Sequence, residues 1–414
     1  MFLRDINKDI PKALKSLKIS FIMAPKIELL APAGDFECLV TAINAGADAI
    51  YFGIEDFNMR ARTKNFQLID LPKVAKLCKL RKIKKYLTIN TIVYDNELKM
   101  AENIIKKSKP FIDAIICSDI SVMLLCKKYK VDFFISTQCS ISNSKTAEFF
   151  KKLGAKRIVL ARELNLNQIK KISKIIPTEI FIHGAMCVSV SGRCFLSEHL
   201  YKQSANRGRC IQPCRRYYNV KDDQDKELRV SNHHIFSAKD LCTLPFIEKL
   251  KKSGVTSFKI EGRSREPEYI DAVVKAYRKA LDKKLTKQEI EDLLKELSKV
   301  YTKGFSSGFY LGTPTSDDFS EVQNSKATHT KQFIGKIKHY YSNIGVGILK
   351  LNTGKLKVGD DIFIIGKTTG LIKYKIESMQ INHKEVQEVK KSEEVGIKLP
   401  FCRKGDEIYK VVKR

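Results

Sequence analysis

The sequence predicts an α/β chain: a (β/α)8 TIM-like barrel followed by a small all-β barrel domain. Three observations carry this. Eight short apolar runs alternate with amphipathic helical stretches between Lys26 and about Asp282. Nearly every run ends in polar side chains, and beyond Phe333 the pattern changes to short alternating strands broken by Gly turns. Eight strand–helix units in roughly 250 residues suit a barrel. A doubly wound open sheet is the alternative that the same alternation allows.

Residues 1–25 read as an N-terminal extension, since Met23 is a second start from which a compact domain can begin. "ISFIMAP" is too short, and too closely flanked by charge, for a secretory leader. The barrel is expected over residues 26–285. Its runs are "IELLAP", "DAIYFG", "YLTINTIV", "DAIICS", "DFFIST", "RIVLA", "EIFIH" and "SFKIE", rich in Ile, Val and Phe as buried parallel strands are. Between them lie helical patterns such as "DFECLVTAINAG" and "SNSKTAEFFKKLG", closed by Gly46 and Gly154 as C-caps. Residues 286–332 form a helix and a Gly/Ser/Thr-rich connector. Residues 333–414 form the all-β domain, in which "KVGDDIFI" and "RKGDEIYKV" repeat a Gly-Asp turn leading into a strand.

Active sites of such barrels lie at the C-terminal ends of the strands. There the sequence puts Asn58, Arg60 and Arg62, then Asn90, Asp119, Ser136 and Gln138, then Arg162 and Glu163, His183, and finally Glu261 and Arg263. Any one of them could be a loop residue or a cap, but together they would converge on one mouth. From this placement Arg60, Arg162, His183, Glu261 and Arg263 are the catalytic candidates, and Asn90 and Gln138 are substrate-binding candidates. His183 has a second reading as a satisfied barrel histidine.

The chain has 414 residues, with 76 Lys and Arg against 46 Asp and Glu, a net charge of +30. Polyanions are the obvious partners; solvated lysine-rich helix faces are the plainer explanation. The absence of an apolar run of about 18 residues argues against a transmembrane helix, and no membrane partner is expected. A cytoplasmic location follows, where thiols stay reduced.

The seventh run leads directly into a segment with Cys187, Cys194, Cys210 and Cys214, spaced C-x6-C-x15-C-x3-C. Disulfides do not suit a reduced compartment. Structural zinc prefers pairs two to four residues apart, which only Cys210 and Cys214 satisfy. An iron–sulfur cluster needs four thiolates and tolerates looser spacing. Four core cysteines would be a fourth explanation, but "SGRC" and "NRGRC" are polar loop contexts; Cys117 and Cys126 fit a core better. Arg193, Arg207, Arg209, Arg215 and Arg216 surround the thiols. They can balance thiolate charge, or grip phosphate or carboxylate in bidentate fashion, and Arg209 and Arg215 are taken as substrate-binding candidates. No Gly-x-Ser-x-Gly, His-Glu-x-x-His or Gly-rich phosphate loop is present.

Glu179, Phe181, Gly184, Ala185, Met186, Cys187, Gly192, Cys194 and Ser197 together resemble the signature of the peptidase U32 (collagenase-like protease) family. "ELLAPAGD", "SAKDLCTL" and "KIEGRSR" resemble further blocks of it. The resemblance implies a 4Fe–4S cluster on Cys187, Cys194, Cys210 and Cys214, with Cys242 a possible substitute for one of them. It also implies hydroxylation of RNA or of a ubiquinone precursor, with prephenate as co-substrate in some branches. Residues 333–414 resemble the second-domain β-barrel of translation factors, which favours the branch that forms 5-hydroxyuridine at the wobble position of tRNA. Ribosomal RNA hydroxylation and collagenase-like proteolysis are the alternatives. The N-terminal extension and the short interdomain region depart from the family pattern.

Overall fold

The computed structural model describes residues 26–216, 218, 221–226 and 236–414. The expected extension at residues 1–25 lies outside the described residues.

All eight apolar runs form strands, and they pair in parallel into a closed ring. They are β1 (Glu28–Pro32), β2 (Ala49–Gly53), β3 (Lys84–Ile89), β4 (Ala114–Cys117), β5 (Phe133–Ile135), β6 (Arg157–Val159), β7 (Thr178–Gly184) and β9 (Ser257–Ile260). Strand β9 pairs with both β7 and β1, which closes the barrel and settles it against an open sheet. The strands are buried on both faces, hence the unbroken apolar runs. Leu30, Tyr51, Tyr86, Ile116 and Phe134 fill the interior, and a larger apolar layer lies between the strands and the outer helices.

The helices are α1 (Phe36–Ala45), α2 (Leu71–Lys79), α3 (Leu98–Ser108), α4 (Ile120–Lys128), α5 (Ser144–Leu153), α6 (Leu166–Ile172), α7 (Leu196–Tyr201), α8 (Ile247–Lys251), α9 (Pro267–Asp282) and α10 (Lys287–Lys299). Their ends follow local chemistry. Asp35 caps α1 by accepting from the Cys38 amide at 2.8 Å, and Gly46 ends it at φ +97°. Asn143 and Gly154 do the same for α5.

Two features break the simple repeat. After β7 the chain leaves the barrel at Ala185 and returns as β8 (Asp240–Cys242), antiparallel to β7. The four cysteines lie on this excursion. The expected connector is not a plain linker either. Its β10 (Phe305–Ser306) adds to β8, and the Tyr310 hydroxyl donates to the Phe181 carbonyl at 2.5 Å, so residues 286–311 belong to the barrel.

The expected all-β domain is an eight-stranded antiparallel sheet with a small two-stranded ribbon. It begins at His329, a few residues before the expected boundary, and encloses its own core of Ile334, Leu349, Ile364, Ile397 and Ile408. It docks on α1 and α9, where Lys373 pairs with Asp271 at 3.0 Å and Lys331 with Glu268 at 2.8 Å. The barrel mouth is left clear.

Candidate functional site: a basic, thiol-lined barrel mouth

A pocket of about 150 Å³ opens at the C-terminal ends of the barrel strands. Its floor is charged. Glu261, at the end of β9, accepts from Arg60 at 2.6 Å, and Arg162 and Arg263 also bear on it. Burial would raise the Glu261 carboxyl, but the three guanidinium groups outweigh it and hold the pKa at about 2. Glu261 in turn raises Arg60. Arg263 donates to Thr88 Oγ1 at 2.8 Å and to Asn58; burial, with Arg60 beside it, brings it down to about 10. Three guanidinium groups thus face one carboxylate.

Arg162 is the least satisfied of them. Its Nη1 donates to the Ala185 carbonyl at 2.8 Å and its plane lies 4.5 Å from the Phe181 ring. Its Nε and Nη2 are buried and have no partner among the described residues, and burial lowers its pKa. A buried guanidinium edge with two open donors is a ready-made seat for a carboxylate or phosphate oxygen.

One side of the pocket carries amides. Asn90 donates to Ser136 Oγ at 3.1 Å and to Gln138 Oε1 at 3.3 Å. The excursion brings Cys187, Cys194, Cys210 and Cys214 to the same pocket. Burial lifts the Cys214 thiol to about 11; Arg215 opposes this, and the other three cysteines add to it. Among the described residues no three His, Cys, Asp or Glu side chains converge closely enough to hold a single metal ion. Four thiols lining one pocket are the number and type of donor that a 4Fe–4S cluster would use.

The excursion is fastened down by its cations. Arg207 forks onto the Glu97 carboxylate and the Ile92 carbonyl, Arg193 donates to the Gln138 carbonyl at 3.1 Å, and Arg215 to the Met186 carbonyl at 3.3 Å. Gly208 sits at the tightest approach. Its φ is +74°, and a Cβ there would lie 2.0 Å from the Asn58 carbonyl oxygen. Gly208→Ala is therefore expected to lift the loop, at a cost of roughly 1–3 kcal/mol in strain alone. Trypsin should then cut at Arg207 and Arg209 faster than in the parent protein, with the barrel's own melting little changed. Equal cleavage rates would show that the loop does not depend on this contact.

The structure thus gathers Arg60, Arg162, Glu261, Arg263, Asn90, Gln138, Arg215 and the four cysteines around one pocket. Other expected groups lie outside it, Asn58, Arg62 and Glu163 among them. His183 is turned away from the mouth. A register shift between Phe181 and His183 breaks the strand alternation and packs the ring between Tyr269, Tyr277 and Phe305. Burial, with Arg265 nearby, lowers it to about 3, so it is the satisfied barrel histidine. Arg209 lies outside the pocket, in an exposed pair with Asp56 at 3.2 Å. Asp119 caps α4 through the Ser121 amide. Cys242 is buried behind β7, where Tyr277 donates to it, and is separate from the four cysteines.

Sequence reasoning gave no site role to Tyr51, Phe181 or Lys259, which line the pocket. Lys259 is buried and pairs with the fully buried Glu179 at 2.9 Å; Glu179 also holds Arg157 at 3.2 Å. A lysine inside the apolar run "SFKIE" was the available signal.

Fold and site together define a (β/α)8 barrel with a basic mouth walled by four cysteines. The family model of peptidase family U32 matches residues 34–320, and the chain belongs to that family. It is 39% identical over 408 residues to a collagenase of Porphyromonas gingivalis, covering 94% of this chain and 98% of that protein. An uncharacterized protease of Methanocaldococcus jannaschii is 41% identical, with the same coverage of 94% and 98%. A tRNA hydroxylation protein of Bacillus subtilis is 34% identical, covering 62% of this chain and 64% of that protein.

Proposed function

We propose that this protein is an iron–sulfur RNA-modification enzyme that takes part in prephenate-dependent hydroxylation of the tRNA wobble uridine to 5-hydroxyuridine. The observation that carries the reading is the Arg162 edge, unpartnered among the described residues, buried in a pocket that four thiols also line. It asks for an anion beside a redox-capable group. Prephenate is a dicarboxylate, and Arg162 and Arg60 stand where its two charges would be met. Cys187, Cys194, Cys210 and Cys214 would hold the 4Fe–4S cluster. When bound, the cluster supplies one-electron redox chemistry at the pocket wall. Replacing C5–H of uridine by C5–OH, with the oxygen taken from water, releases two electrons and two protons; the cluster would pass the electrons one at a time to an external electron acceptor. Asn90 and Gln138 offer amides for the polar edge of a pyrimidine, and the +30 charge suits the RNA backbone. The relative named for tRNA hydroxylation supports the same reading.

Proteolysis is the competing reading, because two relatives at 39% and 41% identity, each matched over 98% of its own length, carry protease names. A nucleophile there would need a base beside it; among the described residues no histidine lines the pocket, and His183 is turned away. The test is mass spectrometry of tRNA nucleosides from a strain lacking this gene and its paralogues. We expect 5-hydroxyuridine and its derivatives to disappear. Normal levels of them would sink the tRNA assignment, and a missing ribosomal hydroxycytidine would move it to ribosomal RNA. Gelatin cleavage by the purified protein would support the proteolytic reading.

A further inference from the structure

Folding normally hides large apolar side chains, so where they stay out is informative. Eighteen are exposed among the described residues, and five of them, Val188, Val190, Phe195, Leu200 and Tyr201, fall within residues 185–216. Phe236, at the far end of the same excursion, is exposed as well and lines the pocket. Phe195 is the most exposed of those on the excursion, at 73%, although it directly follows Cys194 in the pocket wall. Burying such a ring is worth about 1.5–3 kcal/mol, which this loop forgoes.

The same 32 residues are the most cationic part of the mouth, with six Lys and Arg against one Glu. Arg216 lies 5.4 Å from the centre of the Tyr201 ring, a cation already set beside an exposed aromatic face. Arg209 is held only by the exposed Asp56 pair, which solvent weakens. By contrast, residues 333–414 carry 17 Lys and Arg against nine Asp and Glu over 82 residues, and none of them lines the pocket. Net charge is therefore denser on the cysteine excursion, where Phe195 and Phe236 adjoin the pocket, whereas the exposed Tyr341 and Phe401 of the C-terminal domain do not line it.

We infer that Phe195, Tyr201 and Phe236, with Arg209 and Arg216, form a platform for unpaired nucleotides at the rim of the pocket. Aromatic faces interleaved with guanidinium groups hold single strands by stacking and phosphate pairing, with little regard to sequence. A duplex presents no free base faces and gains only the charge. A rim of this kind holds the residues flanking a target base while that base enters the pocket. The inference rests on the RNA reading above and deepens it, since it specifies unpaired RNA and assigns the grip to the excursion.

The experiment uses the full chain purified without oxygen. Its binding to a fluorescent twelve-nucleotide unpaired oligoribonucleotide is compared with binding to an RNA duplex of equal total charge, over a salt series. The unpaired strand should bind more tightly. Phe195→Ala and Tyr201→Ala should each weaken it by roughly 5- to 150-fold, the range that loss of one stacked base gives. Neither change removes a charge, so the slope of log affinity against log salt should stay the same. Arg209→Ala should reduce that slope by about 0.7. Phe195→Trp should restore binding, which separates lost stacking from damaged folding. The platform is overturned if duplex binds equally well, if both alanine variants bind like the parent, or if they lose only self-association or gelatin binding. Failure of the hydroxylation reading is read separately: tRNA nucleosides would be normal in the deletion strain while the preference for unpaired RNA persisted.

Discussion

Serine at any one of Cys187, Cys194, Cys210 or Cys214 is expected to strip the protein of most of its iron and to abolish 5-hydroxyuridine formation in cells. A fully loaded site of this type carries about four irons per chain. Serine keeps the size of cysteine but does not offer a thiolate, so one corner of the site is lost while the loop can still fold. Protein prepared without oxygen should be brown, and the four variants nearly colourless, by iron and sulfide analysis. Cys242→Ser is the informative control. Cys242 is buried behind β7, beside Tyr277, and away from the pocket. It should keep the iron of the parent protein, although it can cost stability. Iron retained in all four loop variants would refute the ligand set. Stoichiometric zinc in the parent would replace the redox site with a structural one, and the proposed oxidation would have no electron acceptor at the mouth.

The barrel was legible because parallel strands buried on both faces leave unbroken apolar runs, and all eight runs became strands. The cysteine wall was legible from spacing and polar context. What the sequence could not show was orientation. The strand alternation that points Glu179 and Phe181 inward should do the same for His183, but the register shift sends its ring outward against Tyr277. Arg207 and Arg209 looked equivalent two residues apart. One is committed to Glu97 and pins the loop, and the other is left on the surface, because the partners come from distant loops. Lys259 had no assigned role, and Glu179 stood only as a signature residue, for the opposite reason. Buried charges survive only when paired, and the pair joins two different strands.

Glu261 is the residue whose role the geometry changes most. It was a catalytic candidate, yet a carboxyl held at about 2 stays ionised at physiological pH and is a poor proton acceptor. Its work is to hold Arg60, Arg162 and Arg263 together in the floor. The depressed carboxyl stabilises the fold by about 3 kcal/mol relative to an ordinary one near 4.5. Because the folded pKa is the lower one, this contribution is fully present above the unfolded value and is lost as pH falls towards the folded one. Glu261→Gln should therefore cost about 3 kcal/mol at pH 7. The gap to the parent should stay flat down to about pH 5 and shrink to roughly half by pH 3. Urea unfolding midpoints across that range measure it. Removing the carboxylate also leaves three cations with no counter-charge, so binding of a dicarboxylate to the folded variant should hold or tighten while stability falls. A general base would behave otherwise: its neutral amide would spare stability and abolish turnover with binding unchanged. A stability gap that persists undiminished at pH 3, or dicarboxylate binding that weakens with the substitution, would remove Glu261 from this role.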